Sequence, residues 1–207
     1  MYLAFHWNYH LRCNSSSLSA NCSLPTGSSE HWLCVCCDGN GVIQVIDSLG
    51  SSMGLNLATI LQISKIYSIP STHSSLKLRK LSVQQQNGTL DCGLFSVAYA
   101  TEVCFGNSPE DVTFNQKKMR SHLYECLCRG KMVPFPRASS TEEVLPRPSG
   151  GLLEIKVYCW CKLPEEYDSV MIACDDCKEW YHCSCVGIHP SHVPDHWDCS
   201  QCRLQSN

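Results

Sequence analysis

Residues 158–203 read YCWCKLPEEYDSVMIACDDCKEWYHCSCVGIHPSHVPDHWDCSQCR. The chemistry of this stretch lies in four short pairs: Cys159-x-Cys161, Cys174-x-x-Cys177, His182-x-x-Cys185 and Cys199-x-x-Cys202. Two ligand side chains two or three positions apart can reach one tetrahedral ion, so four pairs supply eight ligands and two sites. A module of about 50 residues buries too little apolar surface to fold securely alone, so metal supplies much of its folding energy. The cofactor expected is therefore Zn2+, two ions. Spacing alone leaves open which pairs share an ion. Cys183 falls between ligands and is read as a bystander, as are His189, His192 and His196.

Working outward, the 207-residue chain has 17 cysteines and a formal net charge of -3. Cysteines in short pairs with a histidine among them follow the arithmetic of zinc rather than of disulfides, which points to a reducing compartment. The charge argues against a module driven by phosphate contacts, so no direct nucleic-acid partner is expected. No run of about 18 apolar residues occurs, so no membrane partner is expected either. The N-terminal MYLAFHWNYHLRC lacks a basic leader region and is not read as a signal peptide.

Four segments follow from texture. Residues 1–30 are rich in Ser, Asn and Cys without periodicity, and no structure is expected there. Residues 31–133 read as globular and α+β. Residues 134–152 carry four prolines with Ser and Gly, the composition of a linker. Residues 153–204 are the zinc module.

Within the globular segment, HWLCVCC and VIQVID flank Asp38-Gly39-Asn40-Gly41, a hairpin signal. Asn56 to Tyr67 has helical apolar spacing (Leu57, Ile60, Leu61), with Ser64 as a break, and Leu76 to Val83 alternates as a strand. Asp91 precedes an apolar stretch, Cys92 to Phe105, closed by Gly106. This predicts a buried helix with Asp91 as N-cap. Asn115 to Cys128 predicts a second, more polar helix ending near Arg129-Gly130. Cys13, Cys22, Cys34, Cys36, Cys37, Cys104, Cys126 and Cys128 read as core or bystander thiols. Cys34-x-Cys36-Cys37 has no partner pair at metal spacing.

Closing the hairpin about Gly39-Asn40 brings His31 opposite Asp47 to within a residue, on one face if no bulge intervenes. A carboxylate beside an imidazole fixes its tautomer. Cys92 stands at the expected helix start, where free N–H groups and the helix dipole favour thiolate. Gly93 leaves room for a substrate backbone, and Gln86 is a candidate donor to an oxyanion.

The order of the zinc ligands, with Trp180 two residues before the histidine and Trp197 two before Cys199, resembles the PHD-finger family. RING-type fingers usually lack these two tryptophans. The resemblance implies an interleaved cross-brace: Cys159, Cys161, His182 and Cys185 on one ion, Cys174, Cys177, Cys199 and Cys202 on the other. Tyr158, Tyr167, Met171 and Trp180 match the cage of PHD fingers that bind trimethylated lysine on the histone H3 tail. The most similar fingers are those beside histone demethylase domains. Aromatic faces attract a quaternary ammonium that cannot donate hydrogen bonds. Asp175 and Asp176 are candidate partners for a neighbouring histone arginine. Pro164-Glu165-Glu166 adds residues before Tyr167 relative to those fingers. The implied setting is nuclear chromatin.

His31-Trp32, Asp47-Ser48-Leu49 and Gln86-Asn87-Gly88-Thr89-Leu90-Asp91-Cys92-Gly93 resemble the Ulp/SENP family of cysteine peptidases, in the form carried by transposable elements. That resemblance implies part of a papain-like fold. His31 is then the base, Asp47 its orienting partner, Cys92 the nucleophile and Gln86 the oxyanion donor. The implied partner is a ubiquitin-like (SUMO-type) modifier, cleaved through a thioester. The family has a half-domain before its histidine, whereas thirty residues of other texture stand here. An N-terminally truncated domain is thus expected. The alternative is an inactive peptidase scaffold whose finger alone functions in chromatin or protein interaction.

Overall fold

The computed structural model describes residues 20–22, 31–38, 40–50, 55–67, 74–139, 141, 144–165 and 170–205. Two compact units are distinguished, one of residues 1–59 with 77–153, the other of residues 60–76 with 154–207.

The larger of the two sheets is mixed and ordered β1-β2-β3-β4-β5. Its strands are β1 (Ala20–Cys22), β2 (Cys34–Cys37), β3 (Ile43–Ile46), β4 (Ser75–Lys80) and β5 (Gly151–Lys156). β2 and β3 form the expected hairpin, antiparallel with Cys34 opposite Ile46. Its loop is closed by Asp38, whose N–H donates to Val42 O at 2.9 Å and whose Oδ1 accepts from the N–H groups of Asn40 and Val42. Gly41 supplies a φ of +80°, which disfavours any residue with a Cβ. β3 pairs with β4 in parallel, Ile43 opposite Leu78.

β1 was not expected. It pairs antiparallel with β2, Cys22 opposite Cys34, inside the segment read as structureless. Three residues carry too little pattern to distinguish a strand from a polar stretch; the open edge of β2 supplies the partner. The rest of residues 1–30 lies outside the described residues.

α1 (Leu57–Ile66) is capped by Asn56 Oδ1, which accepts from Thr59 N–H at 2.8 Å. It runs through Ser64, whose hydroxyl bonds back to Ile60 O at 2.9 Å instead of breaking the helix. α2 (Cys92–Cys104) is buried along most of its length, as its continuous apolar pattern demands. Phe95 and Tyr99 pack with Phe114 and Phe135 at centroid distances of 5.3–6.1 Å, forming the aromatic centre of the core. Asp91 precedes α2 but its side chain makes no cap bond. Its carboxylate turns to α3 (Gln116–Arg129), accepting from Gln116 Nε2 at 2.8 Å and pairing with Arg120. α3 itself begins on an Asn115 cap and ends on Gly130 at φ +62°.

The Pro/Ser/Gly stretch behaves differently from a free linker. Phe135 is 2% exposed within the core. Arg147 donates to the carbonyls of Glu110 and Val112 and to Thr113 Oγ1. Gly150 runs so close to β4 that a Cβ would stand 2.8 Å from Lys80 O. Prolines exclude helix here, but burial and side-chain hydrogen bonds still fix the path.

The second unit contains the cysteine-rich module. A two-stranded sheet, β6 (Met171–Ala173) and β7 (Trp180–His182), pairs Met171 with His182 and Ala173 with Trp180. Short helices α4 (Cys183–Val186) and α5 (Ser200–Gln205) follow. Ile172 and Tyr181 turn inward beside Cys174, Cys183, Cys199 and Cys202, making a small core. Trp197 packs on Tyr181 at 5.3 Å.

Candidate metal centre and flanking sites

The eight expected ligands converge in two groups. Cys159, Cys161, His182 and Cys185 form one; Cys174, Cys177, Cys199 and Cys202 form the other. In each, all donor atoms lie within 4.8 Å of one another. The pairs therefore interleave. β7 delivers His182, β6 leads into Cys174, and α5 presents Cys202, so the strand pairing itself crosses the two sets.

The geometry fits zinc. With Zn–S bonds of about 2.3 Å, two thiolates on a tetrahedral ion stand about 3.8 Å apart. Cys177 Sγ and Cys199 Sγ are 3.9 Å apart. His182 turns Nδ1 toward its group, 3.2 Å from Cys161 Sγ. The electrostatics need a cation: burial, then the neighbouring Cys159 and Cys161, push the Cys185 thiol up to about 12. Burial likewise raises Cys199, but backbone N–H groups of Cys202 and Gln201 and the Tyr181 hydroxyl outweigh it, holding that thiol near about 6. Zinc, when bound, keeps all the ligands deprotonated and links the ends of the module, which is folding energy. Cys183 is buried and belongs to neither group, as expected of a bystander.

Beside the first group, three of the four expected cage residues can be placed. Paired residues on adjacent strands share a face, so Met171 and Trp180 lie on the same side of the β6–β7 sheet, opposite Ile172 and Tyr181. Trp180 is 47% exposed, a large indole left in solvent while Tyr181 fills the core. Trp180 O accepts from Cys159 N–H at 3.0 Å, which ties the residue after Tyr158 to β7. Tyr167 lies outside the described residues. Asp175 is committed within the module: its Oδ2 accepts from Trp197 N–H at 2.7 Å and pairs with His196 Nδ1 at 2.9 Å. The hydrogen bond from Trp197 holds its carboxyl below the usual range. Asp176 is exposed.

Sequence reasoning missed three features. His196 lies between Asp175 and Asp198 rather than standing free. Trp160, 53% exposed, packs on Tyr181 at 5.3 Å. Lys156 sits over the Tyr158 ring. The Trp160 offset within Cys159-x-Cys161 and the two-residue spacing of Lys156 and Tyr158 were available as signals; the His196–Asp175 pair, made across a loop, had none.

In the first unit, His31 Nε2 donates to Asp47 Oδ1 at 2.7 Å. The β2–β3 register, extended outward, sets Asp47 opposite Leu33, two residues from His31. A slip of two keeps both side chains on one face, so the pair forms diagonally. The lone pair then falls on His31 Nδ1, which is buried and has no hydrogen-bond partner among the described residues. Cys92 is buried at the first turn of α2 and makes no hydrogen bond to that nitrogen. Trp32 lies 3.7 Å from where a Cβ on Gly93 would stand, so indole rather than open space covers this glycine. Gln86 is buried, accepting from Ser48 Oγ at 2.7 Å and donating one N–H to Gly88 O at 2.9 Å. That leaves a single amide hydrogen for any oxyanion. Cys34 and Cys36 are core thiols, and among the described residues no metal group includes them.

The two-ion, interleaved Cys/His arrangement defines a zinc-binding module of the PHD type. It is similar to PHD-finger regions of chromatin proteins. The chain is 38% identical over 53 residues to the chromatin remodeling protein SHL of Arabidopsis thaliana, 25% of this chain and 23% of that protein. It is 42% identical over 50 residues to the chromatin remodeling protein EBS of the same plant, 23% of this chain and 21% of that protein. Over 41 residues it is 49% identical to the lysine-specific demethylase phf2 of Danio rerio, 20% of this chain and 4% of that protein. The chain thus spans less than a quarter of each relative's length. No family model matches, and the comparisons lend no support to a Ulp/SENP peptidase domain. Among the described residues, no helix is long and apolar enough to cross a membrane.

Proposed function

We propose that the zinc module reads a methylated lysine on the histone H3 tail, and that the protein works on nuclear chromatin. The observation that carries this reading is that Met171 and half-exposed Trp180 share one face, with Tyr158 one residue before the Cys159 that bonds to Trp180 O. A trimethylammonium group loses little hydration on leaving water and gains contact with aromatic faces. Tyr167 is the proposed fourth wall. Asp176, exposed on the turn between Cys174 and Cys177, is the proposed partner for a neighbouring arginine, since Asp175 already serves Trp197 and His196. The relatives support the reading, being named as chromatin remodeling proteins and lysine-specific demethylases. The test is titration of the zinc-loaded chain with H3-tail peptides carrying unmethylated or trimethylated lysine. Preference for the methylated peptide, lost in Trp180→Ala, is expected. Equal affinity for both rules the cage out.

A second reading is favoured by one observation, the His31–Asp47 bond with the opposite imidazole nitrogen left bare and buried. We infer a Ulp-type thiol peptidase site. His31 Nδ1 takes the proton of Cys92; the thiolate attacks the carbonyl of a ubiquitin-like modifier's tail; His31 returns the proton to the departing amine. Water then hydrolyses the thioester. Gln86 is the donor to the oxyanion. The findings favour the finger over this activity, so an inactive scaffold is the stated alternative. Labelling of Cys92 by a SUMO or ubiquitin vinyl sulfone separates the two.

A further inference from the structure

The ammonium of Lys156 stands 5.2 Å from the centroid of the Tyr158 ring, within the range of a cation–π contact. The two residues are two apart, so their side chains leave the chain on the same side as β5 ends. Tyr158 is half-buried and fixed, its N–H donating to Leu163 O at 3.0 Å. Lys156 is exposed.

On the reading above, which this inference rests on, Tyr158 is a wall of the methyl-lysine site. A cation of the chain itself therefore already lies over a surface that the ligand's cation needs. We propose that Lys156 is an internal competitor for this aromatic site, displaced when a quaternary ammonium binds. The exchange has a chemical direction. A primary ammonium is strongly hydrated and regains hydrogen bonds to water on leaving the ring. A trimethylammonium has no N–H to offer water and keeps the ring. Competition lowers affinity for every cationic ligand by one common factor, about two- to five-fold for an exposed contact of this kind. It sets the threshold of binding while leaving the preference among methylation states unchanged.

The direct test uses NMR of the zinc-loaded full chain with labelled lysine, and tetramethylammonium chloride as the probe. The Lys156 ε-methylene protons, assigned by their loss in Lys156→Arg, are expected upfield of the other lysines because of the Tyr158 ring current. Tetramethylammonium is expected to return them to ordinary positions along the same titration curve as the Tyr158 ring signals. Ordinary positions before any addition, or signals unmoved while the ring saturates, overturn the proposal. In a second arm, Lys156→Gln is expected to tighten binding of a trimethyl-lysine H3 peptide two- to five-fold, whereas Lys156→Arg, a less hydrated cation over the same ring, is expected not to tighten it. The titrations are run in about 0.5 M salt, so that long-range repulsion between cations is screened. Unchanged or weaker binding by Lys156→Gln overturns it. If Trp180→Ala leaves the preference for methylated peptide intact, the reader assignment falls, while the NMR arm still decides the Lys156 contact separately.

Discussion

His31 and Asp47, sixteen residues apart in sequence, meet across 2.7 Å on one face of a hairpin, and the meeting fixes which imidazole nitrogen holds the lone pair. In the peptidase reading that nitrogen accepts the Cys92 proton. His31→Ala is then expected to slow labelling of Cys92 by a vinyl-sulfone modifier about 10²–10⁴-fold, the usual worth of a positioned general base. Mass spectrometry of the adduct over time gives the rate. Labelling of wild type and variant at the same rate reduces the pair to a structural contact.

The zinc groups lead to a prediction on folding. Elemental analysis is expected to find two zinc ions per chain, and a strong chelator to unfold residues 155–203. Structural zinc contributes about 10–16 kcal/mol in small modules, more than a sheet of two three-residue strands can replace. Circular dichroism with limited proteolysis checks this. A chelated module that keeps its protease resistance would falsify the metal's structural role.

Gln84 offers a test of the core. Its side chain accepts from Phe114 N–H at 2.6 Å and donates to Phe114 O at 3.1 Å, completing a buried backbone pair as a neighbouring strand would. Gln84→Leu keeps the bulk and strands both groups. The expected loss is about 2–6 kcal/mol, measured by denaturant unfolding, since each of the two unpaired buried groups costs about 1–3 kcal/mol. A loss below that of an ordinary surface change contradicts the assigned role.

Asp175 sets a pH dependence. Its carboxyl is held below the usual 3.8, first by the Trp197 N–H, then by His196 and Lys178. A group whose folded pKa is depressed stabilises the fold above its unfolded pKa. That contribution fades as pH falls through the unfolded and then the folded value. The zinc-loaded module should therefore lose stability below about pH 4, by a larger margin than Asp175→Asn over the same window. Thermal melts at stepped pH give the comparison, and parallel curves for the two proteins discount the effect.

Much of this molecule was legible in the chain. The eight ligands, the hairpin and the ends of α2 and α3 follow from local chemistry: paired soft donors, Asp38 with Gly41 in a turn, and Gly106 and Gly130 where the backbone turns left-handed. Other features were hidden for a common reason. β1 depends on a neighbour's free edge, and Asp91 had a capping option that lost to Gln116 and Arg120 on α3. The proline-rich stretch reads as a spacer until Phe135 and Arg147 find their places.

The sequence by itself determined which residues can bind metal, because ligand type and short spacing are local properties. Only the tertiary structure decided which pairs share an ion. Spacing limits what adjacent side chains can reach, but the crossing of the two groups is made as Cys159 N–H bonds to Trp180 O on β7, which holds Cys161 beside His182 across 21 residues of chain. The same holds for the diagonal between His31 and Asp47, a contact set by how the hairpin closes.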